Sequence, residues 1–266
     1  MSMLGRIGSR TIHGLTDVGD LSLQFWAGLR ALPSVLPVVG KRARWQTAIR
    51  QMSAIGVHAL PMMAIVAGCA GFIFAMQSGA ELRRFGATRL VIDIVAIGFT
   101  RELGPLLTAI VVSGRSGSAF SAEIGTMVVT SEIDALRTMA IDPIEMVLAP
   151  KYVAAMIMVP CLTIMSNVFG ILAGAVFMYL STHMTLPIYW RYVAGAIVLR
   201  DVFTGLIKSM AFATIIVHVG CMEGFKVRGG PDAVGRSTTS AVVKSTFLVI
   251  LADLFFTSVF YMMPAV

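Results

Sequence analysis

Tyr152-Val-Ala-Ala-Met-Ile-Met-Val-Pro-Cys-Leu-Thr-Ile-Met-Ser-Asn-Val-Phe-Gly-Ile-Leu-Ala-Gly-Ala-Val-Phe-Met-Tyr-Leu180 contains no charged side chain, and its most polar member is Asn167. A helix needs about 20 apolar residues to cross roughly 30 Å of hydrocarbon. This stretch is long enough to do so, which makes the chain an integral membrane protein. Working outward with the same criterion gives four further spans: Gln51 to Met76, Leu90 to Val112, Val198 to Val219 and Val243 to Met263. The expected fold class is all-α integral membrane, with five transmembrane helices.

Composition agrees. Of the 266 residues, 57% are hydrophobic and only 13% charged, about half the charged fraction of an ordinary soluble domain. The net charge of +7 does not point to nucleic acid, because the basic residues are scattered singly between apolar blocks rather than gathered on one face. Cys69, Cys161 and Cys221 lie inside apolar segments, and His13, His58, His183 and His218 are far apart, so neither a disulfide framework nor a metal site is indicated. A cleaved signal peptide is not expected, since Asp17 and Asp20 interrupt the start of the chain.

Ahead of the first span, Leu15, Val18, Leu21, Phe25, Leu29 and Leu32 recur at three- and four-residue steps, with Asp17, Asp20, Gln24 and Arg30 on other faces. This pattern predicts an amphipathic helix lying in the membrane interface. The domain reading is an N-terminal interfacial segment, 1–50, followed by a five-span domain, 51–266, with its longest loop at 113–151.

Lys and Arg set the orientation. Arg6, Arg10, Arg30, Lys41, Arg42, Arg44 and Arg50 precede the first span. Arg115, Arg137 and Lys151 follow the second, and Lys226, Arg228, Arg236 and Lys244 follow the fourth. The other side holds only Arg83, Arg84, Arg89 and Arg191. The N-terminus is therefore expected to be cytoplasmic and the C-terminus outside, periplasmic in a bacterial cell.

Four charges fall inside the spans: Arg101, Glu102, Lys208 and Asp253. Each costs roughly 2.5–3.5 kcal/mol at the bilayer centre on insertion scales, so none is expected to face lipid. Lys208 and Asp253 lie at matching depth with opposite signs and are expected to pair. Arg101 and Glu102 project about 100° apart on a helix and need separate partners.

The loop after span two carries two apolar stripes, Ile124, Met127 and Val128, then Ile133, Leu136 and Met139, interleaved with Glu123, Glu132, Asp134 and Arg137. It predicts a short amphipathic helix that seats in a groove of a partner. Candidate contacts are Glu123, Ile124, Met127, Glu132, Leu136 and Arg137; the alternative is a helix lying back on its own spans. Phe72, Phe74 and Met76 are candidates to line an apolar pocket for acyl chains. Gly170 and Gly174 form a GxxxG, read mainly as intramolecular close packing. No phosphate loop occurs, since the run from Gly114 to Ala119 lacks the lysine such a loop uses, and no nucleophile and base pair is visible. The chain is expected to be no enzyme, with any driving energy coming from another chain.

The stretches Arg101-Glu-Leu-Gly-Pro-Leu-Leu-Thr-Ala109, Gly114-Arg-Ser-Gly-Ser-Ala119, Ala122-Glu-Ile-Gly-Thr-Met127 and Ile141-Asp-Pro143 resemble the MlaE family of permeases. The likeness extends to Ile207-Lys-Ser209 and the Ser237-Thr-Thr-Ser-Ala-Val-Val243 entry to the last span. The resemblance implies a homodimeric ABC-transporter permease in a bacterial inner membrane or a related envelope. It would move phospholipid between that membrane and a periplasmic MCE-domain carrier, maintaining outer-membrane lipid asymmetry. Partners so implied are a cytoplasmic ATPase that binds ATP and Mg, the MCE-domain protein, and often a STAS-domain subunit; no cofactor is held by this chain itself. The family's coupling helix matches about 122–138 here, and its intramembrane charges match Arg101, Glu102, Lys208 and Asp253. The acidic Glu132-Ile-Asp134 and Asp142 to Glu145 regions depart from the family pattern. Two rival functions follow from the same residues: a proton-coupled secondary transporter using the buried charges, and a non-transporting membrane scaffold.

Overall fold

A computed structural model describes residues 42–87 and 89–262, and the amphipathic segment expected over 15–32 lies outside the described residues. Every described element is helical. They are α1 (Arg42–Ile55), α2 (Leu60–Arg84), α3 (Leu90–Gly98), α4 (Gly104–Val112), α5 (Ser118–Val129), α6 (Glu132–Thr138), α7 (Ala149–Thr182), α8 (Leu186–Ala196), α9 (Leu199–Phe225) and α10 (Pro231–Met262). Joined end to end, they give five helical runs long and apolar enough to cross a membrane: Trp45–Arg84, Leu90–Val129, Ile144–Thr182, Leu199–Phe225 and Pro231–Met262. The chain is a multi-pass membrane protein of the expected class.

The runs are longer than their apolar cores. At 1.5 Å per residue, a 40-residue run such as Leu90–Val129 is about 60 Å long, twice the hydrocarbon thickness. Helix therefore continues into segments that hydropathy had marked as loop. Residues 113–129, expected to open the loop after span two, are helical and continuous with that span, and α10 begins at Pro231 rather than Val243.

Three wide turns with π geometry interrupt the ladders, at Phe99–Leu103, Ser113–Gly117 and Ile144–Leu148. The first has a local cause. Pro105 has no N–H to give the carbonyl of Arg101, and its ring would crowd that carbonyl in a regular helix. The backbone opens by one residue, and the Gly104 N–H reaches the Phe99 carbonyl instead.

By contact, the described chain forms two compact units, one built around residues 117–154 and 217–244, the other around 52–116, 155–216 and 245–266. In the second, α2 buries Met63, Ala67, Gly71, Ala75 and Gly79 at four-residue steps. This small-residue stripe admits α7 so closely that a Cβ on Gly71 would sit 2.2 Å from the Gly170 carbonyl oxygen. Gly174, the other half of the GxxxG, meets the Tyr189 hydroxyl and Val95. Both glycines thus serve contacts within the chain. Val91, Ile92, Val95, Phe99, Ile171 and Met178 fill the core beside that stripe.

Helix α8 was not anticipated within the short segment 181–197. Thr185 is extended and Pro187 stands in the first turn, a sound start for a helix. Tyr189 and Val193, one turn apart, then bury against the core. Burial pushes the Tyr189 phenol above its ordinary range, and its hydroxyl donates to the Ile171 carbonyl at 3.0 Å. Tyr189→Phe removes this donor and is expected to lower stability by about 1 kcal/mol, read as a small fall in melting temperature in detergent; no change would mean that α8 is held by apolar contact alone.

Candidate functional site

The charges within the spans converge in the second unit. Lys208 is 1% exposed. It donates to Glu102, to Asp253 Oδ1 at 2.9 Å and to Thr257 Oγ1 at 2.7 Å. An ammonium has three donors, and all are taken. Asp253 is the partner expected from the sequence; Glu102 and Thr257 were not foreseen there. Arg101 turns instead to Asp201, with Nε 2.5 Å from Oδ1, so the two adjacent residues do take separate partners. Both partners lie on α9, Asp201 two helical turns before Lys208. Asp201 was missed because it stands near the predicted edge of its span, where an acid is unremarkable. Its i, i+7 spacing to Lys208 was the available signal.

Gly205 makes this geometry possible. It lies between Asp201 and Lys208 on α9, and a Cβ there would come within 2.2 Å of the Thr100 carbonyl oxygen. Without a side chain, α9 approaches the wide turn Phe99–Leu103 closely enough for both ion pairs to form. Counted along the helices from Leu90, Leu199 and Met262, the charged residues lie about 14–17 Å in, roughly half the hydrocarbon thickness. A cleft of about 110 Å3 opens over the cluster, lined also by Arg200, Thr204 and Phe260. On its rim the side chains of Arg101 and Glu102 are 45% and 38% exposed.

The segment after span two belongs to the first unit. Lys151, buried, donates to Glu123 Oε2 at 2.7 Å and lies 5.5 Å from the Phe120 ring centroid. The Ser237 hydroxyl donates to the Glu223 carbonyl, so in the 2.6 Å contact between the Ser121 and Ser237 hydroxyls the proton comes from Ser121. Ile124 is fully buried, its Cβ 2.8 Å from where a Cβ on Gly224 would be. Leu136 is buried as well. These two candidates hold the segment in place, whereas Glu132, Arg137 and the 62% exposed Met139 face outward. Ser131 and Ala140, left-handed at φ 62° and 56°, bracket α6 and set it off as a separate corner. Behind it lies a hollow of about 470 Å3, lined by Met127, Leu136, Met139, Met146, Glu123 and Lys151 among others.

Phe72, Phe74 and Met76 do not converge. Phe72 meets Phe177 edge to face, with centroids 5.8 Å apart. Phe74 turns toward Gly98 on α3. Met76 is exposed. Successive even positions on a helix point about 200° apart, and that angular spread separates the three.

Comparison with known proteins agrees with this architecture. The family model Permease MlaE matches residues 48–259. A probable ABC transporter permease protein of Rickettsia felis is 33% identical over 264 residues, covering 98% of each chain. A probable ABC transporter permease protein of Synechocystis is 37% identical over 220 residues, 83% of this chain and 84% of that one. The protein trigalactosyldiacylglycerol 1, chloroplastic, of Arabidopsis thaliana is 33% identical over 244 residues, 90% of this chain and 70% of its own. With five spans, a matched region running from the first to the last of them, and relatives this similar over nearly the whole length, the chain is an integral membrane permease that belongs to the MlaE family.

Proposed function

We propose that this chain is the membrane subunit of an ATP-driven phospholipid transporter and works as a homodimer. In this reading lipid passes between the bacterial inner membrane and an MCE-domain carrier in the periplasm, with the N-terminus in the cytoplasm. A separate nucleotide-hydrolysing subunit docks at the corner made by α5 and α6, through Glu132, Arg137 and Met139; a STAS-domain subunit completes the set. The observation that carries the reading is the unfinished surface around the charge cluster. Arg101 and Glu102 remain partly exposed at mid-span depth, where contact with acyl chains costs several kcal/mol. In α10 beside them, only 11% of the most apolar stretch is buried, with Phe247, Ile250, Leu251, Leu254 and Phe255 exposed. A second copy placed against this face would cover the charges and enclose an apolar chamber.

Such a chamber is what lipid cargo demands. Two long acyl chains drawn into water expose tens of methylenes at about 0.8 kcal/mol each, more than 20 kcal/mol in all, so the path must be sheltered. The names of the Rickettsia and Synechocystis relatives support a partner that supplies ATP energy, and the Arabidopsis relative is named for a galactolipid. The cluster of two carboxylates on one lysine also favours a second reading, a proton-coupled carrier acting alone.

Purification in mild detergent followed by reconstitution tests the proposal. A particle with two copies of this chain and a nucleotide-hydrolysing subunit is expected, and ATP is expected to drive lipid transfer. A photoreactive side chain at Met76 is expected to label lipid. A monomer that transports under a pH gradient without any partner would establish the second reading instead.

A further inference from the structure

Arg89, Asp93 and Ile97 fall at four-residue steps and share one stripe at the start of span two. Across from them α8 presents Arg191, Tyr192 and Gly195, and between the two stripes lies a hollow of about 730 Å3. Gly195 keeps it open, because a Cβ there would meet nothing within 4 Å. The Arg89 guanidinium lies 4.0 Å from the Tyr192 ring centroid. That contact fixes the side chain through the ring face and leaves its N–H donors available. The side chains of Asp93 and Arg191 make no ion pair or hydrogen bond with any described residue. Three charges of two signs thus converge on one space with their hydrogen-bonding capacity unspent. Arg89 immediately precedes a span that begins at Leu90, and α8 lies between spans ending at Thr182 and beginning at Leu199. The hollow therefore stands at the depth where hydrocarbon gives way to headgroups.

We propose that this hollow binds the headgroup of an aminophospholipid, with the phosphodiester between Arg89 and Arg191 and the primary ammonium against Asp93. The inference rests on the reading of the chain as a phospholipid permease and assigns the class of lipid. Guanidinium forks match phosphate oxygens in geometry as well as charge. A glycerol headgroup with its single negative charge would satisfy the arginines and leave Asp93 facing no cation. A choline headgroup brings a cation with no N–H for a carboxylate, and the aromatic face that would suit it already carries Arg89. Free phosphate would be repelled by Asp93 and gains nothing from the apolar floor at Ile97. Only a ligand with a phosphate and an amine answers all three charges.

The test uses the transporter with its native partners in nanodiscs of equal phosphatidylethanolamine, phosphatidylcholine and phosphatidylglycerol, with retained lipid read by native mass spectrometry. Phosphatidylethanolamine is expected to be enriched about tenfold, the ratio supplied by one charge-assisted hydrogen bond. Arg89→Ala with Arg191→Ala should abolish the enrichment, and Asp93→Asn should keep phospholipid bound while equalising the three classes. Arg191→Gln, on an exposed face of α8, serves as the second variant should the double one not assemble, and should cut enrichment severalfold. Excess inorganic phosphate should displace none of the lipid. Absence of enrichment in the unaltered protein, enrichment indifferent to these substitutions, or displacement by inorganic phosphate overturns the proposal. ATP-driven transfer measured on the same samples separates the two ideas: transfer without enrichment sinks the headgroup site alone, and enrichment without transfer leaves the site standing while removing the transport reading.

Discussion

Lys208→Met is expected to be the most damaging single substitution in the chain, costing about 3–5 kcal/mol of stability, the range seen when one partner of a buried ion pair is removed. The magnitude follows from what is left behind. Lys208 is the hub for Glu102, Asp253 and Thr257, so its loss strands two carboxylates at mid-span, one of them only 17% exposed. Neutralising all three together, as Lys208→Met with Glu102→Gln and Asp253→Asn, should recover most of the lost stability, because no orphaned charge remains. The comparison is made by thermal unfolding in detergent, with lipid transfer measured alongside. If the triple variant regains stability but not transfer, the charges act in transport; if it regains both, they are a structural clamp. Equal instability of the single and triple variants would show that charge pairing is not what holds these helices.

Gly205→Val is expected to be nearly as costly, about 3 kcal/mol, at the upper end of ordinary overpacking. The obstacle is the Thr100 carbonyl oxygen, 2.2 Å from the new Cβ, and backbone cannot swing aside as a side chain can. Helix α9 must retreat from the wide turn, taking Asp201 away from Arg101 and Lys208 away from Glu102. The same experiment has an internal control in Gly68→Ala on α2, where the added carbon meets nothing within 4 Å. That substitution should be neutral or stabilise the helix by up to about 1 kcal/mol. A melting temperature for Gly205→Val equal to that of the unaltered protein would mean that the close approach is not needed.

The spans were legible because crossing hydrocarbon imposes a length and a polarity that few other structures share, and the segment Tyr152 to Leu180 meets both without exception. Their ends were not. A helix does not stop where lipid stops, and residues 113–129 continue span two with an amphipathic pattern that hydropathy scores as loop. Helix α8 escaped for a related reason: eleven residues are too few to register as a span, and its evidence was the spacing of Tyr189 and Val193 after a proline start. Within the charge cluster, the sequence exposes cost but not direction. It marked Lys208 and Asp253 as needing partners, yet Glu102 and Asp201 joined them through a backbone turn that only Pro105 hinted at. In the segment after span two, periodicity found the apolar stripes without telling which faced inward. Ile124 and Leu136 did. Phe72, Phe74 and Met76 shared a neighbourhood in sequence and scattered around the helix in space.

The turn at Phe99–Leu103 contains one residue more than a regular turn would use. Everything after it on the same span is thereby rotated by about 100° relative to an uninterrupted helix. Chain length at this point is consequently a coordinate of the fold. Deleting any one residue between Phe99 and Leu103 would let the ladder close into ordinary α geometry and would turn Thr108, Ala109 and Val112 toward the wrong neighbours, though not one side chain there had been altered. Substitutions in this stretch should be graded by chemistry, but omissions and insertions should behave alike, scrambling the whole downstream half of the helix.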